Sequence, residues 1–185
     1  MKILLLDVES NGLHGEPFAV GAVIVDTETL TVLDTFEGIA PIVGPLDEYV
    51  AEHVQPVVKG LTKFQNTRRL RNAFWLWFKQ VSVDAVFADV GYPVETRFLQ
   101  LCQRETEDLW GGPYPLHEVA TLLLAAGVDP DVNRAEYADD VLPPGHKYAA
   151  HAPLDDATVS AHCVAKALRT LVGEPVGAKV KKAGK

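Results

Sequence analysis

Residues 2–13 read Lys2-Ile3-Leu4-Leu5-Leu6-Asp7-Val8-Glu9-Ser10-Asn11-Gly12-Leu13. A short apolar run closed by Ser-Asn-Gly is the pattern of a strand that ends in a turn. Side chains on a strand alternate between its two faces. Asp7 and Glu9 therefore project from one side, and Val8 points into the interior on the other. Two like charges side by side at a strand end repel. A cation between them relieves the repulsion, and hard divalent cations take oxygen ligands. The stretch has the form of half a metal site. It equally has the form of an ordinary polar strand exit, and these residues alone leave both readings open.

The chain around it is an ordinary globular one. It has 185 residues, 48% apolar and 23% charged, which fits one domain with its own core. No apolar run approaches a membrane span. The N-terminus lacks the basic segment and small-residue cleavage site of a secretory leader. Cys102 and Cys163 stand in no metal-binding spacing, so reduced thiols in a cytoplasmic protein are expected. Net charge is −8, from 17 basic and 25 acidic residues. That excludes a protein that coats nucleic acid with a broad basic surface. It leaves room for an enzyme that bridges its acids to phosphate through metal ions.

Outward from residues 2–13, Phe18–Asp26 and Thr31–Gly38 read as two further strands joined by a polar hairpin, giving a three-stranded antiparallel opening. Ala40 to Gly60 is punctuated by Pro and Gly, with a helical turn expected near Leu46–Glu52. Thr67–Gln80 reads as a helix with an apolar stripe of Leu70, Phe74, Trp77, Phe78 and Val81. Trp75, Arg68, Arg69 and Arg71 fall off that stripe. The arginines are either a solvated face or a surface that meets phosphates, and Trp75, like Tyr92, either packs in the core or stacks on a base. Ala85–Val90 reads as a strand and Val94–Arg104 as a helix, with Pro93 at its first position. Leu116–Ala126 reads as a helix closed by Gly127. Asp131–His151 reads as a long loop, a length that in a compact domain marks either disorder or function. Leu154–Val172 reads as the last helix. Strands first, then strand–helix units, give an α/β fold.

That last helix opens on His151-Ala152-Pro153-Leu154-Asp155-Asp156-Ala157. If it begins at Pro153, both aspartates lie in the first turn, where the positive end of the helix dipole favours them. First-turn acids need no further reason. The dipole leaves unexplained the histidine just outside the helix, which beside a carboxylate-held metal would serve as a base for a water nucleophile.

Asp7-Val8-Glu9-Ser10-Asn11-Gly12-Leu13 and His151 to Ala157 together resemble the D-x-E-T/S-x-G-L and H-x-x-x-x-D-A motifs of the DEDDh 3′–5′ exonucleases, a family that includes RNase T, oligoribonuclease and polymerase proofreading subunits. The resemblance spans roughly residues 1 to 172. It implies an RNase H-like fold, a mixed central sheet opening with three antiparallel strands and flanked by helices. A single domain over residues 1–175 and a basic, disordered tail over 176–185 are expected. The family's middle motif is irregular here: aligning Phe98-Leu99 puts Glu95 where the family has Asp, while Asp89 on the preceding strand is the alternative.

The resemblance further implies two divalent cations, Mg²⁺ or Mn²⁺, held by Asp7, Glu9, Asp156 and Glu95 (or Asp89), with His151 as the general base. Backbone amides of Asn11, Gly12 and Leu13 would hold the terminal nucleotide, with Leu13 as a wedge. The partner implied is the 3′ end of single-stranded RNA or DNA, the product a nucleoside 5′-monophosphate, and homodimers are common in that family. His14, His53, His117, His146 and His162 receive no role. Two rivals remain: a catalytically inactive nucleic-acid-binding module of the same fold, and a metal-dependent phosphoesterase of small nucleotides.

Overall fold

The computed structural model describes residues 1–173, and the tail expected at 176–185 lies outside the described residues. β1, Lys2–Ser10, is the middle strand of a five-stranded sheet. β2, Pro17–Asp26, and β3, Thr31–Ile39, follow as antiparallel neighbours on one side, so the opening is three-stranded as expected. β4, Ala85–Ala88, pairs parallel with β1 on the other side, and β5, Leu116–Glu118, pairs parallel with β4. The order β3-β2-β1-β4-β5 makes a mixed sheet.

The helices are α1 Gln55–Val58, α2 Thr67–Phe78, α3 Val94–Glu105, α4 Val119–Ala125, α5 Arg134–Ala138 and α6 Pro153–Leu171. Among the described residues, no helix is long and apolar enough to cross a membrane. The two faces of the sheet take alternate residues of β1. Leu4, Leu6 and Val8 pack with Leu70, Phe74 and Phe98 of α2 and α3. Ile3 and Leu5 pack with Ala157, Ala161 and Val164 of α6. The same alternation carries Asp7 and Glu9 to the α6 side.

Several local expectations are corrected. Leu116–Glu118 is a strand, and the helix expected over 116–126 starts only at Val119. Three residues carry no usable periodicity; it is the open edge of β4 that makes them extended. The 131–151 segment contains α5, started by Asn133, whose side chain accepts from the Glu136 amide at 3.1 Å. The helical turn expected near 46–52 is present, helical from residue 48 and continuing through a π-helical turn, Val50–Val54, into α1.

Trp75 is not on a free face. It is 2% exposed, and its indole N–H donates to Asp108 at 3.2 Å. α2 is wedged between the sheet and α3, so it buries a wider arc than one stripe. Arg71 is likewise buried at 4% exposure, whereas Arg68 and Arg69 are exposed. Both cysteines are free and buried, and burial pushes the Cys163 thiol up to about 12.

Candidate active site

β1 pairs with β4 only as far as Leu6–Ala88, but with β2 beyond Glu9. The carboxyl ends of the two parallel strands thus open a crevice beside Asp7 and Glu9, on opposite sides of which the chain leaves the sheet. Open α/β sheets place ligands at such points.

The third acid arrives because of a glycine. Gly21 stands opposite Asp7 in the β1–β2 register, and a Cβ there would lie 2.1 Å from the Leu154 amide nitrogen and 2.2 Å from the Pro153 carbonyl carbon. Only glycine lets the first turn of α6 rest directly on β2. Asp156, in that turn, comes down beside β1. One carboxylate oxygen each from Asp7, Glu9 and Asp156 lies within 4.8 Å of the others. The three border a cavity of about 230 Å³, with Asp89, Arg134, Tyr148 and His151 in its walls.

Burial raises the pKa of all three acids, and mutual repulsion adds to it at Asp7 and Glu9. Asp7 is raised well above its ordinary value, first by burial, then by Asp156, Glu9 and Glu95. Glu9 is raised to about 8, by burial and then by Asp156 and Glu95. Asp156 is raised by burial, against hydrogen bonding from Tyr148, whose hydroxyl donates to its Oδ1 at 2.6 Å, and against His151. Desolvated carboxylates packed together have this signature wherever no counter-charge is built in.

Glu95 comes from the opposite face of the sheet. It is 8% exposed, and its Oε1 accepts from the Val8 amide, between Asp7 and Glu9, at 3.4 Å. Burial raises its pKa as well. It stands outside the cluster of three, although its charge is felt by both Asp7 and Glu9. Asp89 continues the Ala85, Phe87 alternation of β4 onto the α6 side and lines the cavity, but Arg134 Nε donates to its Oδ1 at 2.8 Å.

His151 has φ +63°, the left-handed region that few side chains other than Asn and Asp adopt. This turns its ring onto the cluster. Nδ1 lies 3.4 Å from Glu9 Oε1, and Nε2 lies 3.1 Å from the Tyr49 hydroxyl. The turn after β1 is also built as a close approach, with Gly12 at φ +77° and Leu13 63% exposed. Asn11 departs from expectation. Its amide is already spent on the Glu16 carbonyl at 3.1 Å, and its side chain ties the turn to Pro45 and Asp47.

Sequence reasoning missed Arg134, Tyr148 and Tyr49. The first two lie in the long segment before α6, whose length was the one available signal. Nothing local pointed to Tyr49.

No family model and no curated protein matches this chain in sequence. Solved structures do match in shape. A zinc-bound complex of E. coli exonuclease I with single-stranded DNA superposes at a TM-score of 0.63 with 13% identity, over 92% of this chain, which spans 40% of that chain's length. Exonuclease X in complex with 5′-overhanging duplex DNA matches at 0.55 and 13% identity, covering 94% of this chain and 95% of that one. A 3′-exonuclease that recognises the 3′ end of a histone mRNA stem-loop matches at 0.52 and 13% identity, over 91% and 81%. The chain therefore has the mixed α/β, RNase H-like fold that these exonucleases share.

Proposed function

We propose that this chain is a divalent-metal-dependent 3′–5′ exonuclease of the DEDDh type, releasing nucleoside 5′-monophosphates from single-stranded nucleic acid. The observation that carries the reading is the convergence of Asp7, Glu9 and Asp156 from opposite ends of the chain to within 4.8 Å, with His151 against Glu9. The donor set suits the cations. It consists of carboxylates, hard oxygen ligands, whose pKa values are raised first by burial and, at Asp7 and Glu9, further by their neighbours' charge.

Asp7, Glu9 and Asp156 would hold two cations, Mg²⁺ or Mn²⁺, with Glu95 as the fourth acid. Asp89 suits that role less well, because Arg134 already meets its charge. The cations, when bound, lower the pKa of the attacking water and stabilise the leaving 3′ oxygen. His151 takes the proton from that water at Nδ1, the ring nitrogen that faces the carboxylates. With the proton on Nε2, the Tyr49 hydroxyl accepts it and Nδ1 is free. Tyr148 holds one oxygen of Asp156 and so directs the other at the cluster. Gly12 and Leu13 would present the turn to the terminal nucleotide, with Leu13 against its base.

A 5′-labelled single strand incubated with Mg²⁺ or Mn²⁺ should give a ladder that a chelator abolishes. An intact strand that is nevertheless bound would make the chain a binding module instead. Trimming of free nucleotides but not of strands would make it a small-nucleotide phosphoesterase. Glu95→Gln should weaken cation binding in calorimetric titration more than Asp89→Asn, and the reverse order would move the fourth ligand to Asp89.

A further inference from the structure

The cluster accounts for the terminal linkage of a strand but not for the strand that leads to it. A second, larger concavity of about 530 Å³ lies along α3, lined by His14, Tyr92, Thr96, Arg97, Gln100 and Arg104. Positions 93, 97, 100 and 104 fall at helical spacing and form one face of α3. No acid lines this groove, in a chain whose net charge is −8. Among the described residues, neither Arg97 nor Arg104 makes an ion pair. Tyr92 is 73% exposed, an aromatic face with little packing to do.

The groove borders the turn that follows β1. The Arg97 guanidinium donates to the carbonyl of His14, in the turn that follows Glu9. Two residues earlier on the same helix, Glu95 reaches the amide of Val8. From there the basic face runs down α3 towards Arg104. Seven residues of helix rise about 10 Å, so the two guanidinium groups are set to meet different phosphates.

We infer that this groove carries the backbone of a single strand upstream of its 3′ end, with Arg97 and Arg104 on phosphates and Tyr92 beneath a base. The direction of the strand rests on the exonuclease reading; the basic, acid-free lining does not.

Arg104 is exposed and outside the lining of the carboxylate cavity, so its replacement spares the core. Binding of a labelled single strand of about twelve nucleotides, the span of such sites, is measured without divalent ions by anisotropy. Arg104→Glu should weaken it about tenfold and lower the slope of log Kd against log salt by about 0.7, the value of one phosphate contact on a single strand. Arg104→Lys should restore most of the affinity. The ratio of kcat/KM for the long strand to that for a dinucleotide should fall with Arg104→Glu by a similar factor. Unchanged strand binding by Arg104→Glu overturns the groove, whether or not the protein trims. Competition by polyglutamate as strong as by the oligonucleotide overturns its assignment to nucleic acid. Binding that Arg104→Glu weakens, in a wild-type protein that trims nothing, keeps the groove and removes the exonuclease reading.

Discussion

Arg71 and Asp7 are both charged side chains withdrawn from water, and they keep opposite company. Arg71 donates from Nη1 to Glu16 at 2.5 Å, and from Nη2 and Nε to the two oxygens of Glu105 at 2.6 and 2.8 Å. Burial pulls its pKa down, but the hydrogen bonds to Glu105 and Glu16 outweigh that and leave it above its ordinary value. Asp7 faces Asp156, Glu9 and Glu95, all of its own sign. In the first region the chain supplies its own counter-charge, and the result is a structural staple between the turn after β1, α2 and α3. In the second it supplies a histidine and Arg134, which pairs with Asp89 and not with the cluster of three, so stable ionisation there awaits a cation from solution. That contrast separates a site from a strut even though both bury several charges.

The sharpest way to break the contrast is at Asp7 and Asp156. Asp7→Ala and Asp156→Ala should each abolish 3′-end trimming, and each should leave the cation-free protein at least as stable, because one repelling charge has gone. Trimming that persists in either purified variant removes that residue from the site. His151→Ala should lower turnover by about two to four orders of magnitude with little change in cation affinity. An undiminished single-turnover rate would show that another group activates the water.

Arg71→Ala tests the other region and should do the opposite of Asp7→Ala. It strands two carboxylates, so it should cost about 3–5 kcal/mol, seen as a fall in melting temperature of about 2–4 °C per kcal/mol. A neutral result would mean that Glu16 and Glu105 relax into solvent and that the staple holds little.

The last effect is a pH dependence. The pKa of Glu9 is raised from 4.5 to about 8 in the fold. A raised folded-state pKa gives stability that is complete below the unfolded value and lost as pH climbs through the folded one. The cation-free protein should therefore lose stability at this cluster between pH 4.5 and about 8. Glu9→Gln should flatten that slope, and Mg²⁺ should raise the melting temperature more at the alkaline end. Asp26 and Asp108, whose pKa values are lowered by backbone hydrogen bonds and by Lys79 respectively, act the other way but below this window. A melting temperature indifferent to both pH and Mg²⁺ across it would deny that the cluster is uncompensated.

Legibility in the sequence followed the range of the forces involved. The alternation in residues 2–10 is a property of neighbouring residues, and it put Asp7 and Glu9 on one side without reference to anything else. The apolar seam of α6 and its first-turn acids were readable for the same reason. Leu116–Glu118 was not, because its extended form depends on the edge of β4. Arg71 was misplaced because α3 covers a side of α2 that its own periodicity leaves polar, and Trp75, left open between core and base, packs there for the same reason. Asn11 was given an amide to offer a ligand, yet that amide closes its own turn on Glu16.

By itself, then, the order of residues determined four of the five strands, the main helices and the two ends of an acidic constellation, since these rest on spacings of two to four residues. Tertiary structure alone decided that the ends meet. The glycine at position 21 clears the ground for α6, the left-handed turn at His151 aims its ring, and Arg134 pairs with Asp89. Each depends on contact between segments far apart in the chain, where steric fit and charge balance act across space and leave no periodic trace.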